Sequence, residues 1–125
     1  MARRPSQELT EAELRLMKVL WAKGPGTVND IVESLDTQPS LAYTTVLTTL
    51  RILETKGYVR HRKEGRAFVY HAAVARDEAS TGAVGNLLSR FFNNSPELLL
   101  ASLLKDERIG RKELNRLKQL IAERE

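Results

Sequence analysis

Residues 41–71 constrain the fold more than any other part of this chain. The segment reads LAYTTVLTTLRILETKGYVRHRKEGRAFVYH. Its first half has the hydrophobic spacing of a helix and ends at Lys56-Gly57, a typical helix stop. Its second half reads as two short strands, 58–63 and 66–71, with Glu64-Gly65 as a tight turn between them. The first prediction is therefore a helix followed at once by a hairpin.

The predicted helix has an apolar side and an unusual hydroxyl side. The apolar side repeats at positions i, i+4 and i+7, at Val46, Leu50 and Leu53. The opposite stripe consists of Thr44, Thr48, Arg51 and Thr55, with Thr45 beside it. Threonine is a middling helix former, whereas a merely soluble face favours Glu, Lys and Gln. Two interpretations are open: a solvated face whose hydroxyls bond back to helix carbonyls, or a face that lies against the edges of bases.

The hairpin carries a local excess of positive charge, although the whole chain has a net charge of only +4. Between Val59 and His71 the only anion is Glu64, and the cations are Arg60, Arg62, Lys63 and Arg66. Residues 72–125 are nearly balanced, with nine Lys/Arg against eight Asp/Glu. A concentrated cationic patch beside a hydroxyl-rich helix favours nucleic-acid binding. Helix and hairpin in this order are typical of the recognition helix and wing of a winged helix-turn-helix domain.

Two shorter helices are predicted before this segment. Thr10 can cap the first, with Glu13 as its reciprocal capping-box partner, and Gly24-Pro25-Gly26 ends it. Its expected buried face consists of Leu14, Met17, Val19, Leu20 and Trp21. The second helix covers residues 28–35. Ser40 is then the expected N-cap of the third helix.

The remaining chain reads as further helices. Residues 76–92 have a helical pattern, which Asn93-Asn94 ends. Ser95-Pro96 begins another helix, since serine is a favoured cap and proline suits the first helical turn. Gly110 separates that helix from a last amphipathic one.

These C-terminal helices hold more Leu and Phe than about fifty residues can hide among themselves. Burying each such side chain is worth roughly 1.5–3 kcal/mol, so we expect a second copy of the chain to cover them. The expected dimerisation residues are Val84, Leu87, Leu88, Phe91, Leu99, Leu100, Leu103, Leu117, Leu120 and Ile121. The alternative is packing against the N-terminal domain. The predicted class is mainly α: a winged helix-turn-helix domain of three helices and a small β-hairpin wing (1–72), then a helical dimerisation region (73–125).

The composition argues against several classes of protein. Zero cysteines exclude disulfides, thiolate metal ligands and cysteine nucleophiles, and His61 and His71 alone make a poor metal site. The sequence has no spaced histidine–carboxylate cluster and no glycine-rich phosphate loop, so we expect no enzyme, cofactor or metal. No apolar run approaches the roughly 18 to 20 residues of a membrane span, and the N-terminus does not read as a secretory signal. We expect a cytoplasmic protein without a membrane partner.

The chain resembles the penicillinase-repressor family of bacterial transcription factors, the BlaI/MecI/CopY type. The resemblance covers nearly the whole chain, through LTEAELRLMKVLW, VNDIVESL, LAYTTVLTTL and KGYVRHRKEGRAFVY. In the opening helix the matching residues are Glu11, Glu13, Met17 and the Leu20-Trp21 pair. The family's dimerisation helices correspond more loosely to LLSRFF, PELLLASLLKDE and KELNRLKQLI.

The resemblance implies a homodimer that binds an inverted-repeat operator and represses transcription, often of β-lactam-resistance genes. It also implies a signalling protease as a partner, because antibiotic-responsive members are cleaved at an Asn-Phe bond in their dimerisation helices. The corresponding pair here is Ser102-Leu103, which counts against induction by that cut. The family's copper-responsive branch uses a C-terminal cysteine cluster, which this chain lacks.

The residues themselves indicate how double-stranded DNA would be bound. A recognition helix enters the major groove with its N-terminal half leading, so the expected base neighbours are Tyr43, Thr44, Thr45 and Thr48. Arg51 can reach guanine or the backbone, and Ser40 with the helix N-terminus can bind a phosphate. The expected wing contacts are Arg60, Arg62, Lys63 and Arg66. The alternative function is a winged helix that contacts protein and has no DNA target.

Overall fold

The structure, a computed structural model of the chain, describes residues 8–35 and 41–124. The chain forms two compact units, which divide between Ala83 and Val84. The predicted class is confirmed, since the elements are mainly helices with one two-stranded antiparallel sheet. The domain boundary expected at residues 72/73 lies in the loop before the fourth helix, ahead of the division between the units.

Six helices and two strands are seen in the described part of the chain. In chain order they are α1 (Glu11–Lys23), α2 (Val28–Ser34), α3 (Tyr43–Lys56), β1 (Val59–Glu64), β2 (Ala67–Ala72), α4 (Arg76–Phe91), α5 (Pro96–Leu104) and α6 (Arg111–Arg124). None of these helices is both long and apolar enough to cross a membrane.

Capping boxes begin the first two helices. The predicted box of α1 is confirmed: the Glu13 N–H donates to the Thr10 hydroxyl at 3.2 Å, and the Thr10 N–H donates to the Glu13 carboxylate at 2.9 Å. Thr27 and Asp30 form the same reciprocal pair at α2. Each box satisfies two of the N–H groups that a helix start leaves unpaired.

Helix α3 begins later than the sequence suggested. Its N-cap is Ala42, which offers no side-chain acceptor, so the prediction that Ser40 caps this helix was wrong. Ser40 itself lies outside the described residues. The predicted stop at Gly57 is confirmed: this glycine has the left-handed φ of 91° that a side chain disfavours.

The hairpin is shifted by one residue from its predicted position. Val59 pairs with Ala72 and Glu64 with Ala67, which leaves Gly65 and Arg66 as the turn. The predicted turn, Glu64-Gly65, was therefore wrong by one position. Tyr70 also exchanges two backbone hydrogen bonds of 2.8 and 3.0 Å with Gly26, which tie β2 to the loop before α2.

One hydrophobic core holds the first unit together. Its members come from α1–α3, the hairpin and the following loop: Leu16, Met17, Leu20, Val28, Ile31, Leu35, Val46, Leu50, Leu53, Tyr58, Val59, Tyr70 and Val74. The apolar side predicted for α3 is confirmed. In α1 the prediction missed Leu16, which is fully buried, and included Leu14, which is only half-buried.

The second unit consists of helical segments joined by tight turns. Asn93 and Asn94 both have positive φ, 49° and 60°, and end α4 as predicted. Ser95 caps α5, accepting from the Leu98 N–H at 3.1 Å, with Pro96 at the first helical position. No residue of α4, α5 or α6 is buried.

Candidate nucleic-acid interface

The outer face of α3 presents free hydroxyls at its N-terminal half. Thr44, Thr45 and Thr48 are exposed, and within the described residues their hydroxyls make no hydrogen bond. Thr49 and Thr55 differ, because their hydroxyls donate to the carbonyls of Thr45 and Arg51 at 2.8 and 3.0 Å. The sequence left open whether all these threonines bond back to the helix. The structure divides them: Thr49 and Thr55 do, whereas the hydroxyls of Thr44, Thr45 and Thr48 remain available to a ligand.

A groove of about 520 Å³ lies between α3, the start of α2 and the hairpin. Its walls are Thr27, Val28, Asn29, Tyr43, Leu47, Arg51, Glu54, His61, Arg66, Ala67, Phe68 and Tyr70. The groove brings together three of the predicted contact residues, Tyr43, Arg51 and Arg66. Tyr43 and Phe68 are each about half exposed, 48% and 49%. The groove therefore combines aromatic surface with two guanidinium groups.

The predicted wing cations do not share one face. Successive side chains of a strand point to opposite sides, so Lys63 lies on the side of His61, Phe68 and Tyr70, which is the groove side. Arg60 and Arg62 lie on the other side, and Arg66 lies in the turn. All four are exposed. Both faces of the hairpin thus carry positively charged side chains.

Glu54 and His61, which we did not predict as site residues, link α3 to the hairpin. His61 Nδ1 lies 2.7 and 2.9 Å from the two carboxylate oxygens of Glu54. The imidazole also contacts Phe68 edge-on, with ring centroids 5.1 Å apart, and Tyr70 at 5.3 Å. Burial, followed by the nearby charge of Glu54, raises the pKa of Tyr70. Only the strand register could have revealed this pair, since nothing in the local sequence joins the two residues.

A nearly buried ion pair fixes the other end of α3. Lys56 Nζ lies 2.7 Å from Glu13 Oε1, and the two side chains are 15% and 6% exposed. Burial pushes the pKa of Glu13 up, but the hydrogen bonds and charge of Lys56, together with the Thr10 bonds, outweigh it, so the pKa is lowered overall. Helix α3 is therefore held against α1 by both packing and charge.

No metal-binding cluster of three or more His, Cys, Asp or Glu side chains is found in residues 8–35 and 41–124. His61 is engaged by Glu54, and His71 has a buried Nδ1 without a hydrogen-bond partner. The geometry points to a binding surface.

The predicted dimerisation residues lie on unburied helices. The more exposed ones are Val84 (49%), Leu87 (39%), Phe91 (68%), Leu103 (39%), Leu120 (59%) and Ile121 (53%). Leu88, Leu99, Leu100 and Leu117 are half-buried. Between α5 and α6 lies a groove of about 590 Å³, whose lining includes Leu100, Leu117 and Ile121 together with the polar residues Arg111, Asn115 and Lys118. Leu104, which is outside the predicted set, is 55% exposed and lines the same groove.

Comparison with known proteins settles the family. The profile of the penicillinase repressor family matches residues 9–123, almost the whole chain. The chain belongs to the penicillinase repressor family. It is accordingly a DNA-binding transcriptional repressor and no enzyme.

Relatives and a solved structure agree with this family. The chain is 33% identical to the transcriptional regulator BlaI of Mycobacterium tuberculosis over 119 residues, covering 94% of this chain and 85% of that protein. It is 28% identical to the penicillinase repressor of Bacillus licheniformis over 116 residues, 93% and 91% of the two chains. The solution structure of the DNA-binding domain of the repressor BlaI matches 62% of this chain and 93% of that domain, with 32% identity and a TM-score of 0.52.

Proposed function

We propose that this penicillinase-family repressor acts as a homodimer on an inverted-repeat operator. The observation that carries the proposal is that α3 presents exposed threonine hydroxyls without hydrogen-bond partners among the described residues, while Arg51 and Arg66 line a groove between the same helix and the hairpin. Hydroxyl groups suit base edges and guanidinium groups suit phosphates. A single duplex can satisfy both at once, with α3 in the major groove and the hairpin on the adjacent backbone.

Within α3, the N-terminal half would contact the bases. Threonine methyls can meet thymine methyls, and the unbonded hydroxyls of Thr44, Thr45 and Thr48 can bond base edges. Tyr43 lies at the first helical position, where the uncapped N–H groups can also bind a phosphate. Arg51 lies further along α3 and would reach guanine or the DNA backbone. Ser40 stays a proposed phosphate contact.

In the wing, the face of each cation sets its role. Lys63 and Arg66 lie towards the groove and would contact the strand that borders the recognition helix. Arg60 and Arg62 would bind phosphates on the far side of the hairpin. Arg62 lies 3.6 Å from Glu64, with both side chains more than half exposed, so this pair is weak and easily opened by a phosphate.

The second unit would supply the dimer. Helices α4–α6 leave large apolar side chains exposed in the single chain, and burying each one is worth roughly 1.5–3 kcal/mol. Threonine contacts discriminate weakly, so one domain should bind feebly. Two joined domains bind the second half-site at a high effective concentration, which raises affinity without new contacts.

The family resemblance extends the proposal to cytoplasmic regulation of genes of the β-lactam-resistance type and to a signalling protease as a partner. Relatives carry the names penicillinase repressor and methicillin resistance regulatory protein MecI. Ser102 and Leu103 are both exposed in α5, but they lack the family's Asn-Phe pair. We therefore assign no cleavage to this bond.

Selecting bound duplexes from a random pool tests the proposal directly. We expect a two-fold symmetric sequence whose half-sites lie about one helical turn apart, or slightly more. A single asymmetric half-site would exclude the homodimer on an inverted repeat. Binding that is insensitive to salt, or absent for every duplex, would favour the protein-contact alternative, because phosphate contacts make DNA affinity fall steeply with salt.

The threonine assignment has a matched control on the same helix. Thr44→Ala or Thr48→Ala should change which sequences are selected, whereas Lys63→Ala should weaken all sequences alike and reduce the salt slope by about 0.9. Thr55→Ala removes a hydroxyl that is already bonded to the helix, and it should leave selection unchanged. Equal, sequence-blind losses from Thr44→Ala, Thr48→Ala and Lys63→Ala would refute base reading by the threonines.

A further inference from the structure

The Glu54–His61 contact joins the recognition helix to the exposed part of the hairpin. A carboxylate only accepts hydrogen bonds, so the His61 ring carries a proton on Nδ1 and donates it to Glu54, at 2.7 Å to the nearer oxygen. Both side chains are about one-third exposed, 34% and 38%. The pair therefore lies at the surface of the groove, outside the hydrophobic core.

The hairpin needs such a contact, because its own packing stops near its base. In β1 only Val59 is buried, and the five residues that follow are exposed. In β2 Tyr70 is buried, while Phe68 is half exposed. A two-stranded hairpin is marginally stable by itself. His61 lies beyond the buried base, and its ring packs against Phe68 and Tyr70, so it connects the outer part of the hairpin to α3.

Because Glu54 is negatively charged, the effect of removing it on DNA binding shows whether it has a positioning role. The groove otherwise carries Arg51 and Arg66, and a carboxylate there repels DNA phosphates. If Glu54 were an ordinary surface residue, removing it would strengthen DNA binding. It would reduce DNA binding only if the carboxylate contributed something that outweighs this repulsion.

We infer that Glu54 and His61 are positioning residues, a latch that holds the hairpin at a fixed angle to α3 so that both reach one duplex together. The inference rests on the proposed function, in which α3 and the hairpin bind the same DNA. The latch reduces the ordering cost that a loose wing would incur on binding. It adds no contact to DNA itself.

The latch is tested by the direction in which DNA affinity changes when the charge of Glu54 is removed. The probe is a duplex selected on the wild-type protein. Glu54→Ala should bind it about five- to tenfold more weakly, the loss expected from ordering a freed wing, with a shallower salt slope. Glu64→Ala is the matched control: it also removes one carboxylate, from the hairpin, but the contact that Glu64 makes is with Arg62 of the same strand, so its affinity should be unchanged or higher. Glu54→Gln keeps an acceptor for His61 and should restore most of the binding.

A second variant separates the hydrogen bond from the ring packing. His61→Phe keeps an aromatic ring beside Phe68 and Tyr70 but has no Nδ1, and it should weaken binding as Glu54→Ala does. Glu54→Ala binding as tightly as wild type, or more tightly, would overturn the latch. So would an unaltered salt slope in both variants.

Hydrogen exchange of the full-length protein without DNA keeps the latch distinguishable from the proposed function. In Glu54→Ala and His61→Phe, the amides of β1 and β2 should exchange faster while those of α1 stay at wild-type rates. Unchanged exchange in the hairpin would overturn the latch. If the wild-type protein binds no duplex but the hairpin amides respond as expected, the proposed DNA function fails and the contact between helix and hairpin stands.

Discussion

The first unit of this repressor buries many of its apolar residues, whereas the second leaves its apolar residues at least partly exposed. The first surrounds a core in which Leu16, Met17, Val46, Leu50 and Leu53 are inaccessible to solvent. The second is richer in leucine along α5, yet none of the residues of α4–α6 is buried. Each set includes regular helices with a side-chain N-cap, α1 and α2 in the first and α5 in the second, so the difference does not lie in local structure.

The difference shows that a regular helix and a buried helix have separate causes. Caps such as Thr10 and Ser95 determine where a helix starts, and they act within one turn. Burial needs a second surface of matching size. The first unit supplies that surface by folding α1–α3 and the hairpin together. For the second unit we propose that the surface comes from another copy of the chain.

The largest difference between the two units should appear when a large side chain in the core is replaced by alanine. Leu53 is fully buried, whereas Leu104 is 55% exposed. Leu53→Ala should reduce the free energy of unfolding of the first unit by about 2–5 kcal/mol, because it removes packing and leaves a cavity. Urea unfolding followed by the fluorescence of Trp21, the only tryptophan, measures this. Leu104→Ala is the control and should leave that transition unchanged. Equal losses from the two variants would contradict the comparison.

A charge on the exposed face of α4 should break the second unit's proposed pairing. Phe91 is 68% exposed, and Phe91→Asp would place a carboxylate in the dimer interface. We expect monomers in sedimentation and an operator affinity about 100-fold lower, because the avidity of two linked domains is lost. Ser89→Asp puts the same charge on another side of the same helix and should change neither. A dimer that survives Phe91→Asp would remove α4 from the proposed interface.

Local signals in the sequence predicted much of this structure. The capping box of Thr10, the stop at Gly57 and the break at Asn93-Asn94 each depend on neighbouring residues, and each is where the sequence placed it. The apolar period of α3 also sufficed to separate its core side from its threonine side. These features need no knowledge of the rest of the fold.

Features that depend on distant parts of the chain could not be read in the same way. The position of the hairpin turn depends on how β1 and β2 pair, and Tyr70 of β2 also pairs with Gly26 of a distant loop. The Glu54–His61 contact was missed because it depends on that register. The division of the wing cations between two faces, by contrast, follows from the alternation of side chains along β1 alone, so the sequence could have shown it.

Acid should weaken the first unit through its nearly buried ion pair. The pKa of Glu13 is lowered from the ordinary 4.5, so the charged carboxylate stabilises the fold above that pH, and the stabilisation is lost as pH falls through the lowered pKa. Glu13→Gln should cost about 1.5 kcal/mol at neutral pH, the value of a hydrogen bond to a charged group. This difference in the free energy of unfolding between Glu13→Gln and wild type should become smaller when urea unfolding is repeated at lower pH.

The matching pair of the second unit provides the control. Asp106 and Arg108 are 2.7 Å apart, but the Arg108 side chain is 90% exposed, and exposed pairs contribute little because water screens them. Asp106→Asn should leave the urea transition of Trp21 unchanged at every pH. A Glu13→Gln deficit that persisted undiminished into acid would show that the lost packing, and not the charge, is responsible.

The smallest expected effect on stability is that of adding a methyl group to α4 at a glycine. Gly85 lies inside this helix, and a Cβ added there meets nothing within 4 Å in the single chain. Glycine within a helix costs roughly 0.5–1 kcal/mol relative to alanine, so Gly85→Ala should stabilise α4 by about that much without weakening the dimer. Circular dichroism at rising temperature and sedimentation at falling concentration measure the two quantities. Gly65→Ala provides the contrast, because Gly65 has a φ of +62° and alanine there is strained. If Gly85→Ala instead separates the dimer, the partner's helix must approach α4 within the width of a methyl group, and the exposed face of α4 would then be a close helix–helix contact.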